Sequence, residues 1–156
     1  MHHKTSRRIV REKVLQILYA YEFNSEGLQA LLDGFFSKID SADDRTFGED
    51  LVNRTIIHKK DFDSKIEALL ANWELSRIAM IDRLLLRMGM CELLHFPDIP
   101  PKATINELIE IAKDFSTADS GKFINGILDK FLSALKKSGE FKKSGRGLLD
   151  ESLSGK

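Results

Sequence analysis

The chain has 156 residues, 24 of them basic and 24 acidic, and 42% are apolar. That length suits one compact domain with its own core, the apolar share excludes wholesale disorder, and zero net charge excludes bulk attraction to nucleic acid. The lone cysteine, Cys91, excludes an internal disulfide and fits a reducing compartment. No apolar run approaches the ~20 residues of a membrane span. Glu12, Lys13 and Gln16 interrupt what would be the apolar stretch of a secretory signal, so a cytoplasmic protein without a membrane anchor is expected.

Charge is unevenly placed. Residues 1–13 sum to +4, residues 14–135 to −7 and residues 136–156 to +3. Basic ends on an acidic body point to a local anionic partner. Apolar periodicity predicts an all-α protein, with helices at roughly 6–24, 27–40, 43–71, 76–95, 104–116 and 118–137 and no alternating strand. We expect one helical domain over 1–137, with sub-bundles at about 6–72 and 76–137, and a flexible tail over 138–156, where Gly, Ser and charge dominate.

The first element, "SRRIVREKVLQILYAYE" (6–22), places Arg7, Arg8 and Arg11 at a helix start, where the macrodipole disfavours cations. Val10, Val14, Ile17, Leu18 and Tyr21 form a broad core stripe. Leu15, Tyr19 and Phe23 recur at i, i+4 and i+8 on another side, near the line of Arg8. From pattern alone this is either a central bundle helix or a docking stripe beside a basic patch. All three prolines fall in "FPDIPPK" (96–102), which separates two helices. Thr104 and Glu107 then have the spacing of a capping box.

In the last helix, "DSGKFINGILDK" (119–130), Ile124, Ile127, Leu128, Phe131 and Leu135 make the core stripe. Phe123 lies at its edge, flanked in projection by Asp119, Gly126 and Lys130, with Lys122 further round. Glycine inside a helix costs about 1 kcal/mol relative to alanine, so Gly126 implies close approach by another backbone or by a ligand. An edge aromatic beside lysines and bare backbone could stack an unpaired base; it could equally complete the core. His2, His3, His58 and His95 lack metal-ligand partners, the terminal pair reading as a solvated end. Asp61 and Asp63 lack the rest of a calcium loop. Nothing assembles an acid–base pair, so neither an enzyme nor a cofactor is expected.

Four stretches together resemble the bacterial transcription antitermination factor NusB family: "REKVLQILY" (11–19), "IDRLLLRMGMCELL" (81–94), "DIPPKATINELIEIAKDFS" (98–116) and "DSGKFINGILDK" (119–130). Their order and spacing match from about residue 6 to 135. The resemblance implies two packed small helical bundles of about six to seven helices. It implies binding of boxA-type single-stranded RNA as a heterodimer with NusE, a ribosomal protein, within the antitermination complex at RNA polymerase. It assigns RNA contact to the basic start, Arg7, Arg8 and Arg11 with Lys4, and to Asp119, Lys122 and Phe123. It assigns Tyr19, with Leu15 of the same stripe, and Asp82 to the NusE side. The sequence departs from the family at Cys91, where an aromatic is common, over residues 29–50, and after 137. Two rivals are the related domain fused to ribosomal RNA methyltransferases and a helical interaction module without RNA binding. No catalytic domain follows in this chain, and the retained arginines speak against the second.

Overall fold

In a computed structural model that describes residues 4–71 and 74–148, Thr5 opens helix α1 (Ser6–Phe23). Its hydroxyl accepts the Arg8 backbone N–H at 3.1 Å, satisfying one of the orphan donors of a helix start. Gly27, at φ +78°, takes the left-handed backbone that leads into α2 (Leu28–Phe36). Helix α3 (Ala42–Ile57) completes the first of two units, which ends at Ile57. Val10, Val14, Ile17 and Leu18 are buried, as their spacing predicts, together with Leu32, Phe36, Phe47, Leu51 and Val52.

The second unit begins at His58 and holds α4 (Lys59–Leu69), α5 (Met80–His95), α6 (Pro101–Phe115) and α7 (Ser120–Ser138). Helix α5 is buried on nearly every side: Leu84, Leu85, Leu86, Met88, Met90, Cys91 and Leu93 are core, and so are Arg87 and Glu92. A helix without a wet face must satisfy its polar groups internally. Arg87 does so with a forked contact to Asp63 of α4, Nε to Oδ1 at 2.7 Å and Nη2 to Oδ2 at 3.0 Å. Glu92 accepts the Thr104 hydroxyl of α6 at 2.8 Å. Among the described residues there is no strand, and no helix is long and apolar enough to cross a membrane.

Several boundaries differ from the sequence reading. The helix expected over 43–71 is two helices, parted at His58 (φ −99°, ψ 15°), and α4 groups with α5 and α7. Helix α5 starts at Met80, after a single 3-10 turn at Leu75–Arg77. Helix α6 starts at Pro101, whose fixed φ suits a first helical position. Thr104 is therefore one turn inside α6, and its hydroxyl serves Glu92 instead of capping. The segment after α7 turns at Gly139 (φ +80°) and returns to α5. Lys143 Nζ donates to the carbonyls of Glu92 (3.2 Å) and Phe96 (2.9 Å), and the Ser144 N–H donates to the Pro97 carbonyl (2.9 Å). A cation on the last carbonyls of a helix suits its dipole. The rest of the expected tail, 149–156, and the His2–His3 pair lie outside the described residues.

Two ion pairs of α4 differ sharply in burial. Asp63→Ala should lower stability by about 3 kcal/mol, because it strips a buried guanidinium of its carboxylate. Lys65→Ala removes the solvated Lys65–Asp61 pair at 3.0 Å and should change stability by less than about 0.5 kcal/mol. Denaturant midpoints of the two variants check the contrast.

Candidate nucleic-acid interface

In the first unit, α1 carries no acidic residue in its first turn, and α3 supplies the missing anion. Arg7 Nε donates to Asp44 Oδ1 at 2.9 Å. The Arg7 guanidinium carbon lies 4.3 Å from the Phe47 ring centroid, and that of Arg11 5.1 Å from it. Lys4 Nζ reaches Glu12 Oε1 at 2.8 Å. Each cation–π contact contributes about 0.5–2 kcal/mol, against a dipole cost of about 0.3–1 kcal/mol per cation. Arg7 and Arg11 are thus stabilised within the molecule and need no external phosphate to explain their place. Arg11 is only 4% exposed, so it does not join the surface charge expected from sequence. Arg8 and Arg7 remain half-exposed and Lys4 exposed.

Leu15 is 1% exposed and belongs to the core, not to a docking stripe. At about 100° per residue it projects roughly 40° beyond Arg11 and roughly 60° beyond Leu18, both buried, so the core arc extends past Arg11 to reach it. The outward part of the stripe is Tyr19 (41% exposed) and Phe23 (69%), whose rings meet at 4.9 Å and a 58° tilt.

In the second unit, Asp82 of α5 is 8% exposed and faces inward. Its Oδ1 accepts the Ser116 hydroxyl at 2.9 Å and its Oδ2 the Ser120 hydroxyl at 2.9 Å. Ser116 and Ser120 lie 2.8 Å apart, and Thr117 Oγ1 is 3.0 Å from Ser120 Oγ. One carboxylate therefore clamps the turn between α6 and α7, and both its oxygens are occupied there. This is not the partner-facing geometry expected of Asp82. The clamp sets the start of α7, where Asp119 and Lys122 are exposed and Phe123 is half-buried.

Phe123 stands between two hollows. One, of about 430 Å³, brings Asp82, Asp119 and Phe123 together with Arg77, Ser116 and Ser120. The other, of about 300 Å³, is lined by Phe123, Lys122, Gly126 and Lys130 of α7 and by Leu69 and Leu70. A Cβ built on Gly126 meets nothing within 4 Å, so no neighbouring backbone explains this glycine. Sequence reasoning missed Asp44 and Phe47, which hold the arginines; pairing between separate helices leaves no mark in the spacing of either.

Residues 8–133 match the sequence model of the NusB family. The chain belongs to the NusB family. It is 44% identical over 147 residues to the transcription antitermination protein NusB of Chloroherpeton thalassium, covering 93% of this chain and 70% of that one. The solved NusB of T. maritima superposes with a TM-score of 0.76 at 35% identity, over 84% of this chain and 93% of that one. A crystal structure of antitermination factors NusB and NusE with double-stranded RNA superposes at 0.73 and 24% identity, over 83% and 97%, a likeness of fold alone. The NusB fold expected from sequence is thus the fold observed, all-helical over the described residues.

If Asp82 is a clamp, its energy is shared with the two serines. Asp82→Ala should cost about 1–3 kcal/mol by removing the charged acceptor that both serine hydroxyls share. A double-mutant cycle against Ser116→Ala/Ser120→Ala should return a coupling of at least about 0.5 kcal/mol. Additive losses in denaturant unfolding would show the three to act independently.

Proposed function

We propose that this chain is an RNA-binding transcription antitermination factor of the cytoplasm that binds boxA-type single-stranded RNA together with NusE and joins the antitermination complex at RNA polymerase. The observation that carries this reading is the start of α7, where a half-buried aromatic, Phe123, stands between two hollows beside an exposed lysine, Lys122. Family membership supports the antitermination role, and the NusB of the solved NusE–RNA complex shares this fold.

The chain acts by binding, not by making or breaking bonds. Phe123 offers a ring face on which a base stacks, a contact typically of about 1–3 kcal/mol. Lys122 supplies a point charge to phosphate. The exposed Asp119 carboxylate accepts hydrogen bonds from a base amino group. Arg8, the outer side of Arg7, and Lys4 give α1 its share of positive surface. Arg11 acts beneath that surface, through Phe47. Tyr19 and Phe23 form the apolar contact for NusE, since exposed aromatic pairs suit the centre of a protein interface. Asp82 contributes by holding the α7 start in place.

Phe123→Ala should lose about 1–3 kcal/mol of RNA affinity while its denaturant midpoint moves little. Phe131→Ala, in the core of the same helix, should instead lose about 3–5 kcal/mol of stability. Like responses of the two variants refute stacking. Arg8→Ala should flatten the plot of log affinity against log salt by about 0.7, measured by fluorescence anisotropy with boxA-type and scrambled RNAs. A helical module without RNA binding gives no titration with either RNA.

Tyr19→Asp buries a charge on association and should weaken NusE binding at least about tenfold, with a cost of several kcal/mol. Its melting temperature should stay near that of the parent. A collapse in stability would place Tyr19 in the core instead.

A further inference from the structure

Gly126 sits inside a nineteen-residue helix, where alanine is the better helix former. Two explanations exist for such a glycine: another part of the chain packs against it, or something outside the chain does. The first fails here, because Gly126 is exposed and a Cβ on it meets nothing within 4 Å. Gly89 of α5 shows what packing looks like in the same unit. A Cβ there falls 2.7 Å from Leu128 Cδ1 and 3.0 Å from Leu108 Cδ1.

The surroundings of Gly126 say what the outside partner is. Lys122, Gly126 and Lys130 follow one another at i, i+4 and i+8, so they share one face of α7. The two lysines are about 12 Å apart along the axis at 1.5 Å per residue. Both are exposed, and neither has a hydrogen-bond or ion-pair partner among the described residues. That sets them apart from Arg7 and Lys4, which have internal carboxylates. Phe123 and Leu70 give the hollow between them an apolar wall. Two unneutralised cations flanking bare backbone, with an aromatic at one side, complement a polyanion that carries flat apolar groups.

We propose that the Lys122–Gly126–Lys130 face is a second RNA subsite. The strand leaves Phe123, passes over Gly126 in close contact with the helix backbone, and places separate phosphates on Lys122 and Lys130. The inference rests on the RNA-binding reading above and extends it by about two turns of α7, with Lys130 and Gly126 as its new contact residues.

The test uses the full chain with NusE and a boxA-type single-stranded RNA oligonucleotide. Gly126→Ala should raise the melting temperature and at the same time weaken RNA binding at least threefold, with Gly126→Leu weaker still. Opposite signs are the signature of a glycine kept for a ligand. Lys130→Ala should flatten the salt dependence by about 0.7, while Lys137→Ala, in the last turn of α7, should leave it unchanged. The subsite is refuted if Gly126→Ala leaves RNA affinity intact or lowers the melting temperature, or if Lys130→Ala and Lys137→Ala behave alike. Loss of NusE affinity in place of RNA affinity makes this a protein-binding face and overturns the proposal as well. If the Gly126 and Lys130 variants bind as the parent does while Phe123→Ala loses affinity, the subsite alone fails and the RNA reading stands. If the parent protein does not bind the oligonucleotide, both fall.

Discussion

The second unit is organised by one constraint: α5 has almost no wet face, yet it carries Asp82, Arg87 and Glu92. A charged group away from water is tolerated only when its hydrogen-bonding capacity is met nearby. Each of these groups therefore commits a different neighbour. Arg87 ties α4 through Asp63, Glu92 ties α6 through Thr104, and Asp82 ties the α6–α7 turn through Ser116 and Ser120. The carbonyls at the end of α5 tie the returning segment through Lys143. Apolar burial supplies most of the stabilisation, but it is non-directional. The polar ties fix which helix stands where, and Asp82 among them fixes the point from which Phe123 and Lys122 project.

A comparable economy governs the charges of α1. Three arginines at a helix start are unfavourable by their own dipole, and for Arg7 and Arg11, Asp44 and the Phe47 ring offset that cost. Basic residues in a sequence are thus two populations. Some, such as Arg11, act inside the fold. Others, such as Lys122 and Lys130, are exposed and have no ion-pair partner among the described residues. Affinity for an anion belongs to the second population more than to the first, whatever the local charge density along the chain.

Much of this was readable from the chain. The spacing of Val10, Val14, Ile17 and Leu18, and of Ile124, Ile127, Leu128 and Phe131, placed both core faces correctly, because helical period alone decides which residues share a side. Period does not tell how wide the buried arc is, and Leu15 fell on the wrong side for that reason. The break at His58 was invisible, since no glycine, proline or capping residue marks it, and Thr55, Phe62 and Ile66 continue one helical stripe across it. Asp82 was placed on the NusE side by family resemblance alone; its two serine partners lie 34 and 38 residues away in the chain, a distance that no helical spacing reports. Gly126 is the opposite case. Its sequence context left two explanations, and the open space around it removes one.

The central claim is that RNA is held at α7, beginning at Phe123. Ultraviolet crosslinking of the complex formed by this chain, NusE and a boxA-type RNA, followed by mass-spectrometric mapping of the adducts, addresses it without altering any residue. The account predicts crosslinked nucleotides on the tryptic peptides that contain Phe123 and its flanking lysines. Adducts confined to other helices, with the α7 peptides recovered unmodified, would contradict it.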